Sequence, residues 1–226
     1  MKISALSTQK KDSNRVNMFL DGEFACGISV NTIAKYNLFV DKEITSDEYQ
    51  EILLSDLEER LFNRAANYLN RAIKSKRQVK TYINTLLIKK KGKWFSHLEN
   101  EQQRGLVDKV LAKLEEYSYI NDGEYAEQFI LSRIKNKPRG KEVLLSELLS
   151  KGISKELAQE KLDLLVEDEY AMLEQAYRKK FKDAKLQKDD RKKIDYLLRK
   201  GFNWSLIETF IENESEKYGR VDTPRR

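Results

Sequence analysis

The chain has 226 residues with a net charge of +6. It is 35% charged and 40% hydrophobic, a balance that fits thin helical bundles with much solvated surface better than one thick core. Two prolines and nine glycines leave little room for irregular structure, and a lone cysteine, Cys26, excludes an internal disulfide. No apolar run approaches the ~20 residues that span a bilayer and the N-terminus lacks the apolar core of a signal peptide, so a cytoplasmic protein without a membrane partner is expected.

In chain order, Ile3 to Thr8, Arg15 to Leu20 and Phe24 to Ser29 read as strands, with Asp21-Gly22 as a tight turn. Three short strands are marginal alone, so this meander, within residues 1–44, needs a helix or a partner to lean on. Thr45 and Glu48 then form a capping-box start. From Tyr49 to Ala72 apolar residues recur every three or four positions, which predicts one long helix, or two joined by a subtle kink, leading into a first three-helix repeat that ends at residue 118. A second repeat occupies 119–169. There Asn121-Asp122-Gly123 caps a helix, Pro138-Arg139-Gly140 breaks it, and Lys151-Gly152 stops the next one. The stop recurs at Lys200-Gly201 in a third repeat, 170–212, and more loosely at Lys91-Gly92 in the first. Residues 213–226 read as a polar, frayed tail. The expected fold class is mainly α: tandem three-helix repeats in an elongated curved solenoid, with a small N-terminal antiparallel β-meander.

An enzyme reading lacks parts. His97, in a polar loop, is the only histidine and Cys26 the only thiol, so no Cys/His dyad or histidine metal site can be assembled. No phosphate-cradling glycine loop follows a strand. Cys26 is expected to be a small core residue, and acidic pairs such as Glu115-Glu116 and Asp189-Asp190 to be solvated helix surface. No cofactor is implied.

What remains is recognition. Cationic excess concentrates in residues 59–118 and 170–226, whereas 1–58 and 119–169 are net acidic. The first basic cluster comprises Arg71, Lys74, Lys76, Arg77 and Lys80, with Lys89 to Lys93, Lys89 and Lys91 among them, in a loop beside Trp94 and Phe95. The second holds Arg133, Lys135, Lys137, Arg139 and Lys141. The third runs from Lys179 to Lys193 and includes Lys192 and Lys193. Phosphate contact needs several cations on one face, which three such clusters could supply; solvated helix surface is the alternative for any one of them.

Tyr119-Ile120-Asn121-Asp122 with Tyr125-Ala126 and Arg133, then Gly140, Glu147-Leu148, Lys151-Gly152-Ile153 and Lys200-Gly201-Phe202, resemble the RecX regulatory proteins of bacteria over about residues 60 to 212. The hairpin from Arg15 to Phe24 looks like the N-terminal extension of some members. One departure is the longer polar insert from Lys89 to Arg104. The resemblance implies curved tandem three-helix repeats and a regulator that docks on the RecA recombinase filament on single-stranded DNA, damping its ATPase, strand-exchange and co-protease activities. A monomer is expected, with double-stranded DNA bound more weakly. A helical DNA-binding protein without a recombinase partner, and a scaffold that binds protein alone, are the alternatives from residues only.

Overall fold

The computed structural model describes residues 1–10, 12–96 and 98–219, with side chains as far as residue 216. The expected polar loop position of His97 lies outside the described residues, as does the tail from Arg220 to Arg226. Two compact units are present: Met1–Ile73 with Val79–Ile120, and Lys74–Gln78 with Asn121–Arg226.

The first unit opens with β1 (Ile3–Gln9), β2 (Asp12–Leu20) and β3 (Glu23–Ser29), antiparallel in the order β1-β2-β3. Asp21 and Gly22 both have positive φ, 50° and 93°, the conformation that a two-residue hairpin loop needs to match the strand twist. Alternate residues Ile3, Met18 and Ile28 are fully buried and pack with Leu38, Ile44 and Ile52. The sheet therefore rests on a helix of its own chain. A short α1 (Val30–Lys35) is capped by Ser29, whose side chain accepts from the Thr32 N–H.

Ile52 belongs to α2 (Ser46–Leu69), a 24-residue helix that starts with the reciprocal Thr45/Glu48 capping box. Its length lets it serve two cores. Ile52 faces the sheet, while Leu57, Leu61 and Ala65 pack into a helical core with Val79, Ile83 and Leu87 of α3 (Lys76–Lys90) and Val107, Val110, Leu111 and Leu114 of α4 (Asn100–Glu116). Trp94 and Phe95, on the α3–α4 connection, are partly buried against that core.

In the second unit, α5 (Asp122–Asn136), α6 (Lys141–Ser150) and α7 (Lys155–Leu165) form one three-helix repeat, with α7 packed on both partners. Another follows, in which α8 (Glu169–Phe181), α9 (Arg191–Arg199) and α10 (Trp204–Gly219) pack on one another. Asn121 caps α5 by accepting from the N–H groups of Gly123 and Glu124. Ser75 Oγ donates to the Lys151 carbonyl at 2.6 Å and Lys76 N–H to Asp122 Oδ1 at 2.8 Å, which ties residues 74–78 into this unit. The helix α10 continues through Gly219, so the segment expected to be a frayed polar tail is helical that far. The reason lies in Glu214, which is buried and ion-paired with Arg178.

The two Lys-Gly stops have the same geometry. Gly152 and Gly201 sit at φ +89° and +88°, and the residue after each, Ile153 or Phe202, donates its N–H back to Leu148 or Leu197 while burying its side chain. A Cβ on Gly152 would lie 2.5 Å from Arg77 Cβ, and one on Gly201 2.4 Å from Val143 Cγ2. Gly152→Val and Gly201→Val are each expected to lower stability by about 2 kcal/mol, the sum of left-handed backbone and overpacking costs. A denaturant midpoint that stays put in both variants would show that neither helix end needs glycine.

Cys26 lies on β3, within the group of side chains packed against the sheet core. Burial pushes its thiol up to about 11, so little thiolate exists at neutral pH. Native protein should react with an aromatic disulfide reagent far more slowly than protein unfolded in denaturant. Equal rates would place Cys26 at the surface.

Candidate nucleic-acid interface

The first basic cluster does not form one face of one unit. Arg71, Lys80, Lys89 and Lys91 belong to the first unit, and Lys74 and Arg77 to the second. Lys80 Nζ pairs with Asp108 Oδ1 at 3.1 Å, an exposed bridge worth less than ~1 kcal/mol that a stronger anion could displace. Arg71, Lys89 and Lys91 are exposed, and Lys89 in the last turn of α3 offsets the negative helix end. Trp94 is not an open stacking platform: Arg60 lies 5.0 Å and Lys90 5.6 Å from its ring centroid, and the ring leans on the core.

The second cluster divides by role. Arg133 Nε donates to Glu147 Oε2 at 2.9 Å, and Arg139 Nη1 lies 3.2 Å from Glu147 Oε1. One half-buried carboxylate thus holds two guanidinium groups, from α5 and from the α5–α6 loop. Arg133 also lies 4.6 Å from the centroid of Phe129. Lys141 is near Asp163, at 3.6 Å, and its backbone N–H donates to Glu169 Oε1. Lys135 and Lys137 are exposed.

In the third cluster Lys193 has a structural task. Its Nζ donates to Asp190 Oδ2 at 2.7 Å and to the Lys185 carbonyl at 2.8 Å, closing the loop before α9. The hydrogen bond to Asp190 holds the Lys193 ammonium above its ordinary pKa. Lys188 faces Glu208 at 3.4 Å, and Lys192 is exposed.

The fold also gathers cations that the sequence scatters. Lys180, in the last turn of α8, and Lys200, capping α9, both lie over Tyr196, with Nζ 4.1 Å and 5.4 Å from the ring centroid. Burial first, and then the charges of Arg139, Lys180 and Lys137, hold the Lys200 ammonium below its ordinary pKa, against a smaller pull from Glu147. In the sequence Lys200 reads only as part of a helix stop, because nothing local links it to Lys137. No group of three or more His, Cys, Asp or Glu side chains able to hold a metal occurs among the described residues. No helix among them is long and apolar enough to cross a membrane.

These features define a class: a helical-repeat protein with a small N-terminal sheet and cationic surfaces. Residues 1–45 match the RecX N-terminal domain, 121–162 the second RecX three-helix domain and 167–211 the third. The regulatory protein RecX of Bacillus velezensis is 31% identical over 95% of this chain and 80% of its own length. That of Listeria innocua is 28% identical over 98% of this chain and 76% of its own. Two solved structures share the fold. A crystal structure of regulatory protein RecX superposes with a TM-score of 0.69 at 21% identity, covering 94% of this chain and 98% of that one. RecX from Lactobacillus salivarius gives 0.54 at 22% identity, over 72% of this chain and 99% of that one. The chain belongs to the RecX family of regulatory proteins.

Proposed function

We propose that this protein is a cytoplasmic, non-enzymatic regulator that binds the RecA recombinase filament on single-stranded DNA and damps its ATPase, strand-exchange and co-protease activities. The observation that carries this reading is the family membership, which spans the sheet and the two repeats of the second unit. The physical chemistry agrees with it. Exposed cations on both units, among them Arg71, Lys89, Lys91, Lys135, Lys137 and Lys192, suit sequence-independent contact with phosphates or with an acidic protein surface. Repeat proteins spread recognition over many modest contacts, so a regulator of this kind needs no deep pocket and no cofactor.

On this reading the protein acts as a monomer, holds single-stranded DNA better than duplex, and leaves nucleotide hydrolysis to the recombinase. Co-sedimentation tests it. Recombinase assembled on single-stranded DNA with a slowly hydrolysed nucleotide should carry the protein into the pellet, at salt where bare DNA no longer does so. A protein that pellets equally with bare DNA and with filament would be a DNA-binding protein without a recombinase partner. One that pellets with neither would contradict both parts of the proposal.

A further inference from the structure

Four cations of the second unit converge from three places. Lys137 and Arg139 stand on the α5–α6 loop, Lys180 on the last turn of α8 and Lys200 at the end of α9. Backbone bonds hold the loop in place: the Gly140 N–H donates to the Lys200 carbonyl at 2.9 Å, and Lys179 Nζ donates to the carbonyls of Lys135 and Asn136 at 3.2 and 2.9 Å. The approach of Gly140 to Gly201 is so close that no Cβ fits between them. Tyr196 is fixed as well, edge-on to Phe181 at 5.3 Å, with its hydroxyl donating to the Ala176 carbonyl. Lys180 and Lys200 both lie against that ring.

Charge balance then separates two explanations. A lysine near a helix C-terminus offsets the helix dipole, which by itself would account for Lys180 and for Lys200. Lys137, the C-cap of α5, shares that explanation, but Arg139, beyond the helix end, does not, and the dipole does not explain why three such lysines and an arginine are gathered together. The nearby carboxylate, Glu147, is already shared by Arg133 and Arg139. Burial is the first cause that holds the Lys200 ammonium below its ordinary pKa, and the charges of Arg139, Lys180 and Lys137 add to it. Cations crowded without matching carboxylates repel in the free protein, and an anion placed among them removes that cost.

We propose that Lys137, Arg139, Lys180 and Lys200 form one phosphate-binding site, and that it takes a phosphodiester of a single-stranded nucleic-acid backbone. This deepens the reading above and rests on it for the choice of nucleic acid as ligand. The site differs from the run of cations contiguous in sequence: Arg133 is held by both Glu147 and the Phe129 ring, Arg139 by Glu147 alone at the longer distance of 3.2 Å, and half of the site comes from the following repeat.

The test uses the full chain and labelled oligothymidylate without recombinase, followed by fluorescence anisotropy over a salt series. In a triple variant, Lys137→Gln with Lys180→Gln and Lys200→Met, binding at low salt should weaken by about tenfold, and the log–log salt slope should flatten by ~0.7 for each phosphate that is no longer neutralised. Its melting temperature should be the same as that of the parent or higher, since like-charge crowding has been relieved. A control that removes equal charge elsewhere, Lys10→Gln with Lys109→Gln and Lys155→Gln, all exposed and outside the three clusters, should change affinity by no more than about twofold. Equal losses in both variants would mean diffuse attraction and overturn the site. So would a lower melting temperature with unchanged DNA binding, which would make the cluster structural. Displacement of oligothymidylate from the parent by inorganic pyrophosphate at matched ionic strength would reassign the ligand to a free phosphate compound. A triple variant that binds bare DNA normally but no longer engages recombinase filaments would reassign the site to an acidic protein surface. Because the binding assay contains no recombinase, its failure leaves the regulatory reading standing, and failure of that reading leaves the DNA result intact.

Discussion

Replacing Gly140 by alanine is expected to lower stability by roughly 3 kcal/mol, a large effect for one added methyl group. The backbone at Gly140 is ordinary, with φ −62° and ψ 156°, so conformational freedom is not the reason. Space is. A Cβ there would lie 1.9 Å from the Gly201 carbonyl oxygen, 2.3 Å from its carbon and 2.8 Å from the Phe202 nitrogen. These are backbone atoms in a helix-ending turn, and they cannot rotate away as a side chain would. Relief requires the α5–α6 loop to retreat, which stretches the Gly140 N–H bond to the Lys200 carbonyl and pulls Arg139 from Glu147. Chemical denaturation of the variant measures the loss. A midpoint equal to that of the parent would show that the loop and the end of α9 do not approach as described. Gly140→Ala should also weaken oligothymidylate binding, because Lys137 and Arg139 move with the loop.

Asp56→Ala should cost about 3 kcal/mol in the first unit, chiefly because of what the missing carboxylate leaves behind. Asp56 is 7% exposed at its side chain and accepts from the Ser29 N–H at 2.7 Å and from Arg15 and Arg60 at 3.0 Å each. Both guanidinium groups also donate to the Gly27 carbonyl. Burial pushes the Asp56 carboxyl up, outweighing the pull of Arg15 and of the Ser29 N–H. Net attraction is therefore small, and the network matters by satisfying groups that the fold already buries where β3 meets α2. Remove the carboxylate and two largely buried cations lose their charged partner, keeping the Gly27 carbonyl, while the Ser29 N–H loses its acceptor. Asp56→Asn, which still accepts from Ser29, should lose less. Circular dichroism melts of both variants decide the point, and a loss under ~1 kcal/mol for Asp56→Ala would reduce the network to an ordinary surface bridge.

Local grammar made much of the fold legible. The Thr45/Glu48 box, the Asn121 cap, the Asp21-Gly22 turn and the Lys-Gly stops each need only a few neighbouring residues, and each stands where its chemistry demands. Contacts distant in sequence were not legible in that way. Gly140 reads as a loop glycine until Gly201 is placed against it. Glu147 enters the sequence reading only beside Leu148 in the family resemblance, with nothing to pair it with two arginines, and Glu214 reads as tail until Arg178 reaches it. The site suffered most from this. Runs of lysine draw the eye, yet Lys193 is engaged with Asp190 and Lys185, while Lys180 and Lys200 meet Lys137 and Arg139 only after three helices have packed.

The most direct measurement of the central claim is the rate of ATP hydrolysis by RecA recombinase assembled on single-stranded DNA, followed as this protein is titrated in. The rate should fall in a saturable manner, with no hydrolysis by the protein alone, and the triple variant at Lys137, Lys180 and Lys200 should require a higher concentration for the same inhibition. An unchanged rate at concentrations where co-sedimentation shows the filament to be occupied would contradict regulation of the recombinase by this chain.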